Sequence, residues 1–261
     1  MPSKGEVKVG DTRIEFLLDG AGDAVVMIPG GGLDASAFED LARRIAGAGF
    51  RSVAVNPRGV GASKGRLEGL TLHTLAGDVA AVIEALGAGP AHVLGHGFSN
   101  RVARCLAADR PDLVRSVALL AGVGLFVPET EVVKALLAWF ARDTTEADCL
   151  EATRQLVADP AAVERVLRQV KRWPVVAAAQ RAADRATPQT DWIEPPGQVP
   201  ILVVQGLNDR VAPPEHGHAF RESVGARVHV ADIPDAGHMV FLEQPELVAD
   251  AVVTFLRRQA A

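Results

Sequence analysis

The sequence predicts an α/β fold: a mostly parallel sheet of eight short strands, flanked by helices and carrying one helical insertion. Three observations lead to that expectation. Short apolar, β-branched runs bounded by Gly, Pro or Asp recur along the chain, and most are separated by segments with helical spacing. One long stretch keeps the helical spacing and has no strand at all. Strand and helix in alternation favour a parallel sheet, because each crossover lays a helix on one of its faces.

The strand candidates are Arg13 to Leu18, Ala24 to Ile28, Ser52 to Val55, Ala91 to Leu94, Val114 to Leu120, Ile201 to Val204 and Arg227 to Val230. A further strand before Gly10-Asp11 pairs with the first of these as an antiparallel hairpin at the sheet edge. Helical spacing falls at Ala37 to Ala48, Leu72 to Leu86, Arg101 to Asp109, Pro214 to Val224 and Pro245 to Arg258. From Phe126 to Gln198 only helical segments follow one another: Glu131 to Ala141, Thr145 to Ala158, Ala161 to Val170 and Val175 to Ala186. They are punctuated by Pro128, Pro160, Pro174, Pro188 and Pro195-Pro196. The expected division is therefore a core of residues 1–125 and 199–261, with a helical lid at 126–198.

Composition narrows the function. With 261 residues the chain suits one α/β domain with an insertion, and 48% hydrophobic against 23% charged residues is a globular balance. A net charge of -5 offers no footprint for a nucleic-acid backbone. The longest nearly apolar run, Val117 to Val127, is shorter than the roughly 20 residues of a membrane-spanning helix. No secretory leader is read at the N-terminus, so a soluble cytoplasmic protein is expected. Two cysteines, Cys105 and Cys149, are too few for a disulfide framework or a cysteine zinc site. A small-molecule partner is expected, without nucleic acid or membrane, and a homo-oligomer is compatible with the sequence.

In open α/β sheets ligands bind at the carboxyl ends of the strands, so the loops after the strands carry the chemistry. Five loops are informative: Pro29-Gly30-Gly31-Gly32; Asn56 to Ser63; Gly95-His96-Gly97-Phe98-Ser99-Asn100; Gly206-Leu207-Asn208-Asp209-Arg210-Val211-Ala212-Pro213; and Asp235-Ala236-Gly237-His238-Met239. In this order they resemble the α/β-hydrolase superfamily, in its lidded esterase, lactonase and C–C hydrolase-like branch, and the likeness covers about residues 12 to 258. The resemblance implies an eight-stranded α/β-hydrolase fold and a triad in the chain order nucleophile, acid, histidine. The acid falls on Asp209 and the histidine on His238.

The elbow departs from the family pattern G-x-S-x-G. Read from Gly95, the nucleophile position is Gly97; read from Gly97, it is Ser99, with Arg101 where the last glycine belongs. The Gly-His lead-in and the spacing to Pro111-Asp112-Leu113-Val114 favour Gly97 and put Ser99 in the first helical turn. Glycine cannot attack a carbonyl. In a well-studied serine protease, loss of the nucleophile lowers kcat by about 2 × 10⁶, roughly 8 to 9 kcal/mol of barrier.

What the resemblance leaves intact suggests another route. His238, oriented by Asp209, would activate a water beside Gly97 or remove a substrate proton, giving non-covalent hydrolysis or a lyase reaction. The backbone N–H groups of Gly31 and Phe98 would form an oxyanion hole, and Gly30, Gly32 and His96 would border the substrate. Two alternatives stay open: a non-catalytic small-molecule binding protein, and an ordinary serine esterase using Ser99. Keeping both Asp209 and His238 favours an enzyme, since a pure binder has no chemical need for the pair.

No cofactor is expected. Gly59-Val60-Gly61 lacks the third glycine and the context of a dinucleotide fingerprint, and no Gly-Lys-Ser/Thr phosphate loop occurs. No metal is expected either: His216 and His218, two apart on a helix, diverge. Arg58 reads as a loop support, Cys105 as a buried helix residue and His73 as uninformative. Trp139, Phe140, Trp173 and Trp192 read as lid packing or pocket wall.

Overall fold

A computed structural model describes residues 2–124, 130–194 and 197–259. The lid boundary expected at Phe126, the end of the apolar run at Val127, and the Pro195-Pro196 pair lie outside these residues. Eight strands form one sheet: β1 (Ser3–Val9), β2 (Thr12–Gly20), β3 (Ala24–Ile28), β4 (Arg51–Val55), β5 (Ala91–His96), β6 (Val114–Leu120), β7 (Ile201–Gly206) and β8 (Val228–Ile233). Their order is β1-β2-β4-β3-β5-β6-β7-β8. β1 pairs antiparallel with β2, and β2 antiparallel with β4; every other neighbour is parallel. This is the α/β-hydrolase architecture, with the predicted hairpin at one edge.

Ten helices accompany the sheet among the described residues: α1 (Glu39–Gly47), α2 (Leu72–Ala85), α3 (Ser99–Asp109), α4 (Thr130–Trp139), α5 (Glu146–Leu156), α6 (Ala162–Gln169), α7 (Pro174–Ala186), α8 (Glu215–Val224), α9 (Val240–Glu243) and α10 (Pro245–Arg258). Local chemistry sets several starts. Thr71 caps α2 by accepting from the Thr74 N–H, and Pro174 and Pro245 occupy first-turn positions where no backbone donor is needed. A single turn of 3₁₀ helix, Gln189–Asp191, closes the insertion.

The central strands are buried on both faces, and their alternation sorts the core into two layers. Val25 and Met27 of β3, with Ala118 and Leu120 of β6, face α1 and α10. Val26 and Ile28, with Val117 and Leu119, face α2, α3 and α8. The Phe38 and Phe241 rings meet 4.8 Å apart in the first layer. Burying each such side chain contributes about 1.5–3 kcal/mol.

α4 to α7 lie between β6 and β7 and cover the carboxyl edge of the sheet. Trp139, Cys149, Ala152, Leu156 and Val166 join the first core layer. Among the described residues no helix is long and apolar enough to cross a membrane.

Candidate active site

The strand-to-helix bend after β5 is built by glycines with specific duties. A β-carbon on Gly95 would stand 2.3 Å from the Ser99 carbonyl oxygen, so only glycine lets α3 start this close to the strand. Gly97 has φ +51, the left-handed region that strains any side chain. The Gly97 N–H donates to the Leu120 carbonyl at 2.9 Å, and the Asn100 side-chain amide donates to the Gly97 carbonyl. The bend therefore falls at Gly97, the first of the two registers.

Ser99 lies elsewhere. It is fully buried, and its hydroxyl donates to the Pro29 carbonyl at 2.5 Å, tying the first turn of α3 to the glycine-rich loop. Its side chain is absent from the wall of the cavity that holds His238.

Asp209 and His238 meet as the resemblance implies. His238 Nδ1 is 3.0 Å from Asp209 Oδ2, and Asp209 Oδ1 accepts from the Val211 and Ala212 N–H groups at 2.7 and 2.9 Å. Both residues are buried. Three hydrogen bonds to one carboxylate fix its plane and, through it, the imidazole. The free nitrogen, Nε2, lies 3.2 Å from the point a β-carbon on Gly97 would occupy. The imidazole thus faces the bend at Gly97.

The insertion holds the histidine from behind. The His238 N–H donates to the Leu156 carbonyl at the end of α5, at 2.8 Å. Gly237 allows this approach, since a β-carbon there would stand 2.8 Å from the same oxygen. Glu243 spans the junction, accepting from the Gly237 N–H at 2.9 Å and the Ala158 N–H at 2.6 Å. Burial raises the pKa of its carboxyl, and the backbone N–H groups of Ala158, Gly237 and Asp159 oppose that rise.

His96 packs against the site instead of doing chemistry in it. Its Nε2 donates to the His238 carbonyl at 2.9 Å, while buried Nδ1 has no hydrogen-bond partner among the described residues. Nδ1 presses on Gly30, where a β-carbon would come within 2.5 Å. Burial, then the charge His238 would carry, lowers its pKa to about 3, so it stays neutral.

The cavity in front of His238 has a volume of about 280 Å³. Gly30, Gly31, His96, Gly97 and Phe98 form its floor, and Trp139 and Phe140 of the insertion belong to its wall. Gly31 and Phe98 abut, a β-carbon on the first standing 3.2 Å from that of the second. Gly32 lies behind the wall residues Ala177 and Phe140. Its N–H donates to Gln180 Oε1 at 2.7 Å and its carbonyl accepts from Trp173 at 2.8 Å, so the insertion uses both of its polar groups. Trp173 and Trp192 are also outside the wall; Trp192 instead lies under the guanidinium groups of Arg101 and Arg104.

Several wall residues gave no sequence signal. Gln180 sits deep in the cavity, holding the glycine-rich loop. Arg101 pairs with Asp184 of α7, and Arg181 stands beside them; burial first, then Arg185, lowers the pKa of Arg181. His216 reaches the wall from α8, and burial lowers its pKa. Arg58 is a loop support as expected, its Nε and Nη2 meeting Asp78 at 2.7 and 2.6 Å.

The α/β-hydrolase class is thus defined by the fold and by an acid–histidine pair at the elbow. The chain belongs to the alpha/beta hydrolase family, whose model matches residues 25–251. It is 30% identical over 250 residues to the Mycobacterium tuberculosis protein named "Putative non-heme bromoperoxidase BpoC", covering 91% of this chain and 95% of that one. The solved structure of that protein superposes with a TM-score of 0.79 at 25% identity, over 95% of this chain and 97% of the other. It is 26% identical over 268 residues to the 2-(acetamidomethylene)succinate hydrolase of Mesorhizobium japonicum, covering 96% and 94%. A thermophilic esterase from Thermogutta terrifontis shares the fold, with a TM-score of 0.78 at 22% identity over the whole of both chains.

Proposed function

We propose that this protein is a cofactor-independent hydrolase in which the His238-Asp209 pair activates water directly, without a covalent acyl-enzyme. The observation that carries the reading is the 3.2 Å between His238 Nε2 and the side-chain position that Gly97 leaves unused. A water beside Nε2 would sit where a serine hydroxyl sits in relatives that have one. Nε2 takes its proton as the oxygen attacks a substrate carbonyl, and Asp209 stabilises the imidazolium that forms. The Gly31 and Phe98 N–H groups receive the developing oxyanion. His238 then returns the proton to the leaving group. With a carbon acid bound, the same base would support a lyase reaction.

α4 to α7 act as the lid, supplying apolar wall from Trp139 and Phe140, while Arg181 of α7, beside the Arg101–Asp184 pair, makes a cationic end. That lining suits a small molecule with an apolar body, a reactive carbonyl and a carboxylate. The named substrate of the Mesorhizobium relative, a succinate, also carries carboxylates.

The test is turnover of a panel of small carboxylate-bearing esters, amides and β-diketones. Wild type should hydrolyse at least one, and His238→Gln should lower kcat by about 10²- to 10⁴-fold. Unchanged kcat in His238→Gln, or tight binding of panel members with no turnover, would overturn the reading.

A further inference from the structure

Away from the catalytic cavity, α2, α3 and the end of the insertion converge on a second cluster. His73 of α2 and Cys105 and Asp109 of α3 bring one ligand atom each within 4.8 Å of one another. Nδ1 of His73 is 3.2 Å from Cys105 Sγ and 2.8 Å from Asp109 Oδ2, and the sulfur is 3.6 Å from the same oxygen. None of the three lines the catalytic cavity.

We infer that His73, Cys105 and Asp109 form a zinc-binding site that ties the insertion to the core. Zinc holds thiolate at about 2.3 Å and imidazole or carboxylate at about 2.0–2.2 Å, so tetrahedral ligand atoms stand roughly 3.3–3.6 Å apart. The sulfur–oxygen separation already matches, and the sulfur–nitrogen one is short by about 0.3 Å. The nitrogen–oxygen separation must open by about 0.5 Å, within reach of a rotation of the half-exposed Asp109 side chain. Thiolate with imidazole selects zinc over magnesium or calcium, which prefer oxygen alone.

Two further features fit a metal. Cys105 is fully buried in the second core layer, yet its sulfur stands within 3.6 Å of both an imidazole nitrogen and a carboxylate oxygen. The other nitrogen of His73, Nε2, meets Asp191 Oδ2 at 3.1 Å. A carboxylate on the far nitrogen is the usual support of a metal-bound histidine, fixing its tautomer and ring plane. Because Asp191 belongs to the 3₁₀ turn that closes the insertion, a metal on His73 would anchor the insertion's exit to α2 and α3. Binding replaces the Cys105 thiol proton and any proton on His73 Nδ1 with Zn²⁺, and these protons leave to solvent. Water would fill the fourth position, since three protein ligands are in reach among the described residues.

Cobalt(II) reports directly on such a site. Chelator-treated protein titrated with Co²⁺ should bind one equivalent, with a near-ultraviolet thiolate-to-cobalt charge-transfer band that equimolar Zn²⁺ removes. Cys105→Ser should abolish the band, Cys149→Ser should keep it, and Asp191→Asn should keep it with affinity weakened about 10- to 100-fold. If Cys105→Ser fails to fold, His73→Gln, at a half-exposed position, should weaken Co²⁺ binding at least as far. No band in wild type at saturating Co²⁺, a band that survives Cys105→Ser, or unchanged affinity in His73→Gln would overturn the assignment.

Discussion

Nε2 of His238 lies 3.2 Å from the point where a β-carbon on Gly97 would sit, and Gly97 itself is at φ +51. A serine introduced there would put its hydroxyl against the imidazole, at the expense of a strained backbone and a close contact. Gly97→Ser should therefore destabilise the fold by about 1–3 kcal/mol. A lower urea midpoint at unchanged m-value is the expected outcome.

Asp209 holds His238 through Nδ1 while its other oxygen accepts two loop N–H groups. Asp209→Asn can keep the loop bonds through its oxygen but turns an N–H toward Nδ1. That forces the proton onto Nε2 and removes the lone pair the base needs. kcat should fall about 10²- to 10⁴-fold with a small change in KM, while the urea midpoint moves little. A kcat within a few-fold of wild type, roughly, would leave Asp209 as a loop cap alone.

Ser99 makes the opposite prediction. Its hydroxyl is committed to the Pro29 carbonyl inside the core. Ser99→Ala should cost about 1 kcal/mol of stability or somewhat more, because the buried carbonyl loses its donor. Steady-state kinetics should show kcat close to wild type.

Two buried histidines make stability depend on pH. Burial, then the charge of Arg115, lowers the pKa of His92 to about 4, and His96 is lowered to about 3. In the unfolded chain both titrate near 6.5. As pH falls below that value the unfolded chain takes up protons that the fold refuses, so stability is full above pH ~6.5 and declines below it. Each histidine contributes a slope of about 1.4 kcal/mol per pH unit. Urea midpoints between pH ~6.5 and ~5 should drop accordingly, and His92→Gln, which can still hydrogen-bond Ser116, should make the drop smaller.

Strand positions were legible because the central β-strands carry continuous apolar runs between Gly, Pro and Asp; Ala24–Ile28 and Val114–Leu120 match residue for residue. The four insertion helices were legible from their spacing and prolines. The Asp209-His238 pair was legible from loop motifs, and the bend at Gly97 from the Gly95-His96 lead-in and the spacing to Pro111-Asp112-Leu113-Val114. Gln180, Arg181 and Asp184 were not, because α7 reaches the cavity only through tertiary packing, and a helix sequence does not say which loop it will touch. The ties of Gly32 were hidden for the same reason: its polar groups are taken by Gln180 and Trp173, far along the chain. His73 and Asp191, on different elements, carry no shared motif that could announce their pairing.

The central claim, that His238 works here without a covalent partner, can be tested with a fluorophosphonate probe read by intact-protein mass spectrometry. The probe forms a stable phosphorus–oxygen bond with an activated serine and releases fluoride. Wild type should show no adduct, and Gly97→Ser should gain one at residue 97 that disappears when His238→Gln is added. A stoichiometric adduct on any serine of the wild-type protein, Ser99 above all, would contradict the account.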